Sequence, residues 1–424
     1  MNKNILFLFL FSCFFLEIYA QKLVSKPFVG HKSQHQINAW CLFKNIDTVW
    51  FSVEDEQQQI VQQQTFVFEK KTAFRKYLPI VLNFDDLLPN TKYTIKYTIN
   101  NETHELLRTK TENNETENFS FLTGSCAFVG TSINRLVKPF NNLKIFQSMQ
   151  QDTAQMMLWL GDNIYYIFEQ NSHKKQLKRN TQVRLNKKMN RFLNSKEQYA
   201  IWDDHDYGSN NSGEEFKNKH SSLNIFQQFW VNPKNETLNY YTFPKEDIQF
   251  FMLDDRFYKN DTVVLGKAQL SWLKQELLKS KAVFKIIGIG TQALNKSGVH
   301  ESFYNAKAEF DELMQFINDH KINGIFFLTG DRHFAELVKM DDIIGYPLYD
   351  FTTSPISMYP LKKKSSEALI NPSVSGTYYN RNNYGKITVE GNPVNRQCIL
   401  ELKNRKGEVV WKYIIDAKEL VFQE

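Results

Sequence analysis

One stretch constrains the fold of this chain more than any other: Met156-Met157-Leu158-Trp159-Leu160-Gly161-Asp162-Asn163-Ile164-Tyr165-Tyr166. Five consecutive apolar residues predict a strand buried on both faces. The run stops at a glycine and an aspartate follows at once. This places a carboxylate at the carboxyl end of a central strand, where open α/β sheets keep their ligands. The pattern recurs. Ile325 to Thr329 runs into Gly330-Asp331-Arg332-His333, Phe250 to Leu253 into Asp254-Asp255-Arg256, Tyr199 to Trp202 into Asp203-Asp204-His205-Asp206, and Phe119 to Thr123 into Gly124-Ser125-Cys126. A single aspartate after a strand is ordinarily a turn residue or a helix cap. Five strand-like runs that all end in metal-ligand residue types point instead to one polynuclear metal site, expected along one sheet edge.

The length of 424 residues allows two or three domains and a large core. A formal net charge of +6 is mild for this size, and no basic arm is concentrated anywhere, so nucleic acid is not the expected partner. Met1 to Ala20 reads as a secretory signal: Lys3, an apolar run from Ile5 to Leu16, then Ile18-Tyr19-Ala20 before Gln21. The run is short for a membrane span and ends at Glu17. Leu10-Phe11-Ser12-Cys13 fits a lipoprotein site poorly, and there is no twin-arginine pair. Export by the general secretory route is therefore expected, to a periplasm, a cell surface or the medium. Cleavage would leave Cys41, Cys126 and Cys398, an odd number, so at least one thiol is unpaired. Cys126 lies in the strand-end set; whether Cys41 and Cys398 pair is open.

Residues 21–115 predict a β-sandwich domain. Leu87-Leu88-Pro89-Asn90-Thr91-Lys92-Tyr93 is a turn followed by period-two alternation, and it resembles the corner of fibronectin type III and related sandwiches. A polar linker is expected from Thr109 to Glu117. From 118 to about 360, strands alternate with helices in an α/β domain. Leu265 to Ser280 and Ala306 to His320 are amphipathic helices. The basic segment from Lys174 to Arg191 reads as a solvated helix face, or more sharply as a lid for anionic substrate. After 361 the chain turns β again, expected as a terminal sheet packed on the catalytic domain.

Asp162, Asp204, Asp331 and His333 supply carboxylates and an imidazole, Cys126 a thiolate and Tyr165 a phenolate. That mixture suits a hard trivalent iron beside a second, oxygen-loving divalent ion. Two cations about 3.5–4 Å apart can hold both the attacking hydroxide and the ester oxygen of an in-line phosphoryl displacement. Arg256 and Arg332 offer guanidinium donors for phosphate, although Arg332 could equally pair with Asp331. His205, held by a carboxylate such as Asp206, could protonate the leaving oxygen. Asp203 and Asp255 read as structural neighbours, and His300 and Glu301 as the cap of a helix-like stretch, with substrate contact the lesser alternative.

In chain order stand Gly124-Ser125-Cys126, Gly161-Asp162-x-x-Tyr165, Trp202-Asp203-Asp204-His205-Asp206, Leu253-Asp254-x-Arg256, Leu265-Gly266-x-x-Gln269-x-x-Trp272-Leu273 and Gly330-Asp331-x-His333. Thr352-Thr353-Ser354-Pro355-Ile356-Ser357 follows. The set resembles the PhoD-like alkaline phosphatase and phosphodiesterase family of calcineurin-type metallophosphoesterases. The resemblance implies an αββα sandwich with an N-terminal β-sandwich and a C-terminal β extension. It implies an exported hydrolase of phosphate monoesters or diesters, with ferric iron and calcium ions as cofactors. Cys126 and Tyr165 would ligate iron, Asp162 and Asp204 would be ligands with at least one bridging, and Asp331 and His333 would complete the set. Asp254 would hold calcium and Arg256 would face phosphate. The family's acidic loop often ends in Glu where this chain has Asp206, and some relatives carry a twin-arginine signal. Other readings are a phospholipase D-type diesterase on the same site and a non-catalytic phosphate-ester-binding protein. The expected partners are small phosphate esters, without nucleic acid or a stable membrane span, and the chain is expected to be a monomer.

Overall fold

A computed structural model describes residues 21–113, 118–130, 143–166, 172–233, 238–392 and 394–423. The secretory segment 1–20 and the end of the expected linker, 114–117, lie outside the described residues. Two antiparallel sheets form first. One has the order β1 (Lys22–Lys32), β2 (Ile37–Lys44), β5 (Tyr77–Phe84). The other has the order β4 (Ile60–Val67), β3 (Thr48–Glu54), β6 (Lys92–Ile99), β7 (Glu102–Lys110). They enclose a core of Cys41, Phe43, Val49, Phe51, Ile80, Leu82 and Ile95. The turn before β6 closes as its motif predicts: the Leu88 N–H donates to the Tyr93 hydroxyl at 2.9 Å. The expected linker begins later than its composition suggested, because Thr109 and Lys110 still pair in β7.

The α/β region runs β8 (Phe119–Gly124), α1 (Ile145–Gln151), β9 (Met156–Leu160), α2 (His173–Arg184), α3 (Lys187–Leu193), β10 (Glu197–Ile201), α4 (Asp204–Tyr207), α5 (Lys219–Phe229), β11 (Tyr241–Lys245) and β12 (Ile248–Met252). It continues with α6 (Gly266–Lys279), β13 (Phe284–Gly288), α7 (Lys307–Asp319), β14 (Ile325–Thr329), β15 (Glu336–Met340), β16 (Leu348–Thr352), α8 (Ser365–Ile370), β17 (Asn383–Glu390), β18 (Gln397–Asn404) and β19 (Val409–Asp416). Two six-stranded sheets result, with orders β10-β9-β8-β17-β18-β19 and β11-β12-β13-β14-β16-β15. In the first, the strands β8, β9 and β10 that end at the ligand motifs pair in parallel; in the second, β12 and β14 run parallel to β13, which lies between them.

The five-residue run of β9 shows why the sheets must be covered on both faces. Met156, Leu158 and Leu160 point to the core shared with Phe250, Ile286 and Phe326 of the second sheet. Met157 and Trp159 point the other way, to Phe146, Phe192, Leu223 and Trp230 beneath the helices. Residues alternate across a strand, so a continuous apolar run demands two apolar environments. Burying each such side chain contributes roughly 1.5–3 kcal/mol. Phe121 meets Phe250 edge-on across the sheets, with centroids 5.1 Å apart. Helices α6 and α7 cover the far face of the second sheet through Leu270, Leu273, Leu277, Phe310 and Ile317. The architecture is the expected αββα sandwich.

The C-terminal strands are not a separate sheet packed on the domain. β17 pairs antiparallel with β8, so β17, β18 and β19 extend the first sheet. The basic segment forms α2 and α3. Its lysines are exposed, as a solvated face requires, but Arg179 and Arg184 are buried. Arg184 donates to Phe229 O at 2.8 Å and lies over the Trp230 ring, with Trp40 and Phe28 of the β-sandwich also within cation–π range. It joins the two regions rather than gating a cleft. Cys41, Cys126 and Cys398 are all free and buried, the first and last in different cores.

Candidate active site

The strand ends converge, but from two sheets rather than along one edge. β8, β9 and β10 belong to the first sheet and β12 and β14 to the second. Two glycines allow the approach. A Cβ at Gly330 would lie 2.5 Å from Leu160 O and 2.6 Å from Ser125 Cβ, so β14 could not close on the ends of β8 and β9. At Gly161, where φ is +87°, a Cβ would lie 2.4 Å from Asp203 Cβ.

The residues just past these glycines and past Gly124 adopt backbone that side chains rarely tolerate. Cys126, Asp162, Asp331 and His333 have φ of +57°, +54°, +64° and +56°. Each such residue costs of order 1–3 kcal/mol and persists only where its surroundings fix it. Asp206 does part of the fixing. Its carboxylate accepts the N–H groups of Asn163 at 3.1 Å, Ile164 at 3.0 Å and Asp203 at 3.2 Å. With Asp203 as N-cap it forms a capping box on α4. Arg179 adds a bond from its Nε to Tyr165 O at 3.0 Å.

The ligand atoms then fall into three groups, each within 4.8 Å, and all share Asp162: Cys126–Asp162–His333, Asp162–Asp204–His205, and Asp162–Asp203–Asp331. The Tyr165 hydroxyl donates to Asp162 Oδ2 at 2.8 Å and is 3.4 Å from His333 Nε2. Cys126 Sγ lies 3.5 Å from Asp162 Oδ2 and receives the Ser354 hydroxyl at 3.1 Å, while Ser354 Oγ accepts the His333 N–H. Burial, with Asp204 and Cys126 next, drives the Asp162 carboxyl far above the carboxylate range. Burial and the Asp204 charge push Asp331 up to about 6. Burial and the Asp331 charge push the Cys126 thiol up to about 12. His333 falls to about 4, chiefly through burial, so its ring is neutral and able to ligate. Among the carboxylates Asp162, Asp203, Asp204 and Asp331, only Asp204 shifts down: burial opposes its charge, but His205, Arg256 and the Asn211 amide outweigh it.

Such a cluster fits metal ions. Asp203 Oδ2, Asp204 Oδ1 and His333 Nδ1 are buried with no hydrogen-bond partner. An unpaired buried polar atom ordinarily costs about 1–3 kcal/mol, so native proteins seldom leave several together. Crowded carboxylates, a thiol and a phenol beside them form a donor set that a cation would satisfy.

Beyond the ligands, a cleft of about 870 Å³ is lined by Asp162, Tyr165, His205, Asp331 and His333 among others. The remaining expected residues correct the reading of the sequence. Arg256 does not face the cleft. Its guanidinium is buried, pairing with Asp203 and donating to Glu301 at 2.8 Å, because a charge at that depth must be neutralised locally. Arg332 reaches the cleft, but it pairs with Glu367 through two bonds at 2.6 and 3.0 Å and not with Asp331. Asp206 does not orient His205, since backbone amides occupy it; the His205 ring lies against Tyr165, centroids 4.4 Å apart. Asp254 lies outside the three groups and accepts from Trp202 Nε1 at 2.7 Å and from the Arg256 and Phe257 amides. His300 and Glu301 cap no helix; they form the cleft wall, as the alternative reading of them allowed, and Glu301 also pairs with Lys259. The sequence reading missed Asp203, Ser354 and Glu367. For Asp203 the only signal was adjacency to Asp204, and for Ser354 its place in the Thr-Thr-Ser-Pro segment.

The fold is of the αββα sandwich class, with a metal-type donor cluster at its strand ends. Within that class, residues 240–398 match the PhoD-like phosphatase family model. Among solved structures the chain is similar to one titled "Structure of PhoD", with 16% identity and a TM-score of 0.74, covering 92% of this chain and 88% of that one. It is also similar to the purple acid phosphatase PPD1 from yellow lupin (Lupinus luteus) seeds, with 12% identity and a TM-score of 0.66, covering 92% of this chain and 74% of that one. No curated protein matches the sequence. These likenesses bear out the resemblance to PhoD-like phosphatases and support a phosphoesterase.

Proposed function

We propose that the chain is an exported, metal-dependent phosphoesterase of the alkaline phosphatase D type, acting on phosphate monoesters, diesters or both. The observation that carries the reading is the sharing of Asp162 by three ligand groups. A carboxylate common to adjacent groups is what a bridge between two cations requires. Cys126, Tyr165 and His333 with Asp162 would hold ferric iron, and Asp162, Asp203, Asp204 and Asp331 would hold calcium. The metals would supply Lewis acidity toward a phosphoryl oxygen and an activated water. The chain's own residues do the rest. His205, on the cleft wall with its ring tilted against Tyr165, would donate the proton to the leaving oxygen. Arg332, fixed by Glu367, presents its edge to the cleft, and the cleft leaves room for an ester's organic group. Small phosphate esters are its partners in this reading, as a monomer without nucleic acid. Among the described residues no helix is long and apolar enough to cross a membrane.

The test compares hydrolysis of an aryl phosphate and its bis-aryl diester by the wild-type chain, with and without chelator. Chelator-sensitive turnover is expected, and the rate ratio assigns the ester class. Turnover indifferent to chelator overturns the metal-dependent reading.

A further inference from the structure

We propose that residues 359–378 form a lip that seats the cleft mouth on an anionic lipid surface, so that the substrate is a phosphate ester presented at that surface. The ester part rests on the phosphoesterase reading above; the docking part does not. Five of the fifteen large apolar side chains left exposed among the described residues fall in this one segment: Tyr359, Leu361, Leu369, Ile370 and Tyr378. Leu369 is 85% exposed, the most of any of them. Scattered exposed leucines need no explanation, but a patch beside a polar cleft marks a surface that binds something.

The patch belongs to the mouth of the site. Tyr359 and Leu361 line the cleft, and the Tyr359 ring meets His333 edge-on at 5.0 Å. The Leu361 N–H donates to His333 O at 2.8 Å. The lip is also fastened along its inner side. Glu367, from α8, is consumed by Arg332; Lys363 is consumed by Glu336 and Asn371 O, each at 2.6 Å. The Lys363 N–H donates to the Tyr378 hydroxyl at 2.9 Å, tying the two ends of the segment together. The acid of the lip is therefore turned inward and neutralised, while Leu369 and Ile370 are exposed.

What remains outside is apolar and cationic. Lys362 and Lys364 line the cleft rim, are exposed, and form no ion pair among the described residues. An adjoining cavity, walled by Pro360, carries Arg381, Arg405 and Lys406 against one acid, Glu408, which pairs with Lys406. Apolar side chains flanked by lysine and arginine match a bilayer of anionic headgroups: the former enter the acyl boundary and the latter meet the phosphates. A second copy of this chain would bring the same cationic face and the same net charge of +6, so self-association through the patch is opposed.

The experiment sediments the mature chain with vesicles of pure phosphatidylcholine and with vesicles containing phosphatidylglycerol. In parallel, hydrolysis of a soluble aryl phosphate is followed. Binding is expected to the phosphatidylglycerol vesicles, weakening with salt. L369D/I370D is expected to lower partitioning about tenfold or more while leaving soluble turnover within about twofold, because neither side chain touches the cleft. Lys362→Glu with Lys364→Glu is expected to lower partitioning as well. Wild-type chain that ignores the anionic vesicles, or L369D/I370D that binds as wild type does, overturns the lip. A wild-type dimer that L369D/I370D dissociates, with no vesicle binding, overturns it in favour of a second copy as occupant. Vesicle binding without any ester hydrolysis upholds the docking surface and overturns the phosphoesterase reading instead.

Discussion

Two buried clusters of carboxylates in this protein have opposite electrostatics. Where the β-sandwich meets the catalytic region, Glu197 of β10 pairs with Lys32 of β1 and with Lys245 of β11 at 2.7 Å, and Lys245 also reaches Glu112. The lysines hold the Glu197 carboxyl down to about 2 against the cost of burial. At the strand ends, Asp162, Asp203 and Asp331 are as deeply buried but face each other, Asp204 and a thiol, and all three are raised. The first cluster is complete in protein atoms and is structural. The second holds more negative charge than Arg256, paired with Asp203, can neutralise, and that excess is the physical mark of a site built for cations.

This comparison can be broken by substitution. Asp162→Asn removes the residue common to all three ligand groups, and activity on aryl phosphates is expected to fall by about a thousandfold or more, with the fold retained by circular dichroism. Cys126→Ala tests the same cluster from the first sheet and should lose metal as well as rate. Either variant with full activity would sink the assignment. Glu197→Gln should do the reverse. It leaves Lys245 under-neutralised in a buried place, costing about 3–5 kcal/mol in denaturant unfolding, while kcat changes little.

Acid titration sharpens the contrast. Glu197 has a depressed folded value, so its contribution is present above the ordinary carboxylate value of 4.5 and is lost as pH falls toward about 2. Asp331 is raised, so the metal-free chain keeps that stability below the ordinary value of 3.8 and loses it as pH rises through about 6. Melting temperature of the metal-free chain is therefore expected to fall between about pH 4 and 6, and added cation should abolish that fall. A smaller effect is expected for Ser354→Ala, which removes the hydroxyl on Cys126 Sγ; a 10–100-fold loss of metal affinity is the scale for such supporting groups.

Much of this was legible in the sequence because it is local. A run such as Met156–Leu160 followed by Gly161-Asp162 encodes strand, stop and carboxylate in seven residues, and all five such runs are strands in the structure. Capping by Asp203 and Asp206 lay within the same short motif, yet it was masked by the catalytic roles those residue types can also play. What was not legible depends on contacts far apart in the chain. Nothing near Arg256 says that it meets Asp203, and nothing near Arg332 points to Glu367 on α8. Nor does periodicity distinguish strands on one sheet edge from strands on two facing sheets, since both leave the same carboxyl ends. The extension of the first sheet by β17–β19 was hidden for the same reason: pairing partners are chosen by tertiary packing.

The most direct measurement is the metal content of the purified wild-type chain beside Asp162→Asn, both exposed to iron and calcium and then desalted. At least one tightly bound metal ion per wild-type chain, lost in Asp162→Asn together with ester hydrolysis, is the predicted result. A wild-type chain that holds no metal and still hydrolyses phosphate esters in chelator would contradict it.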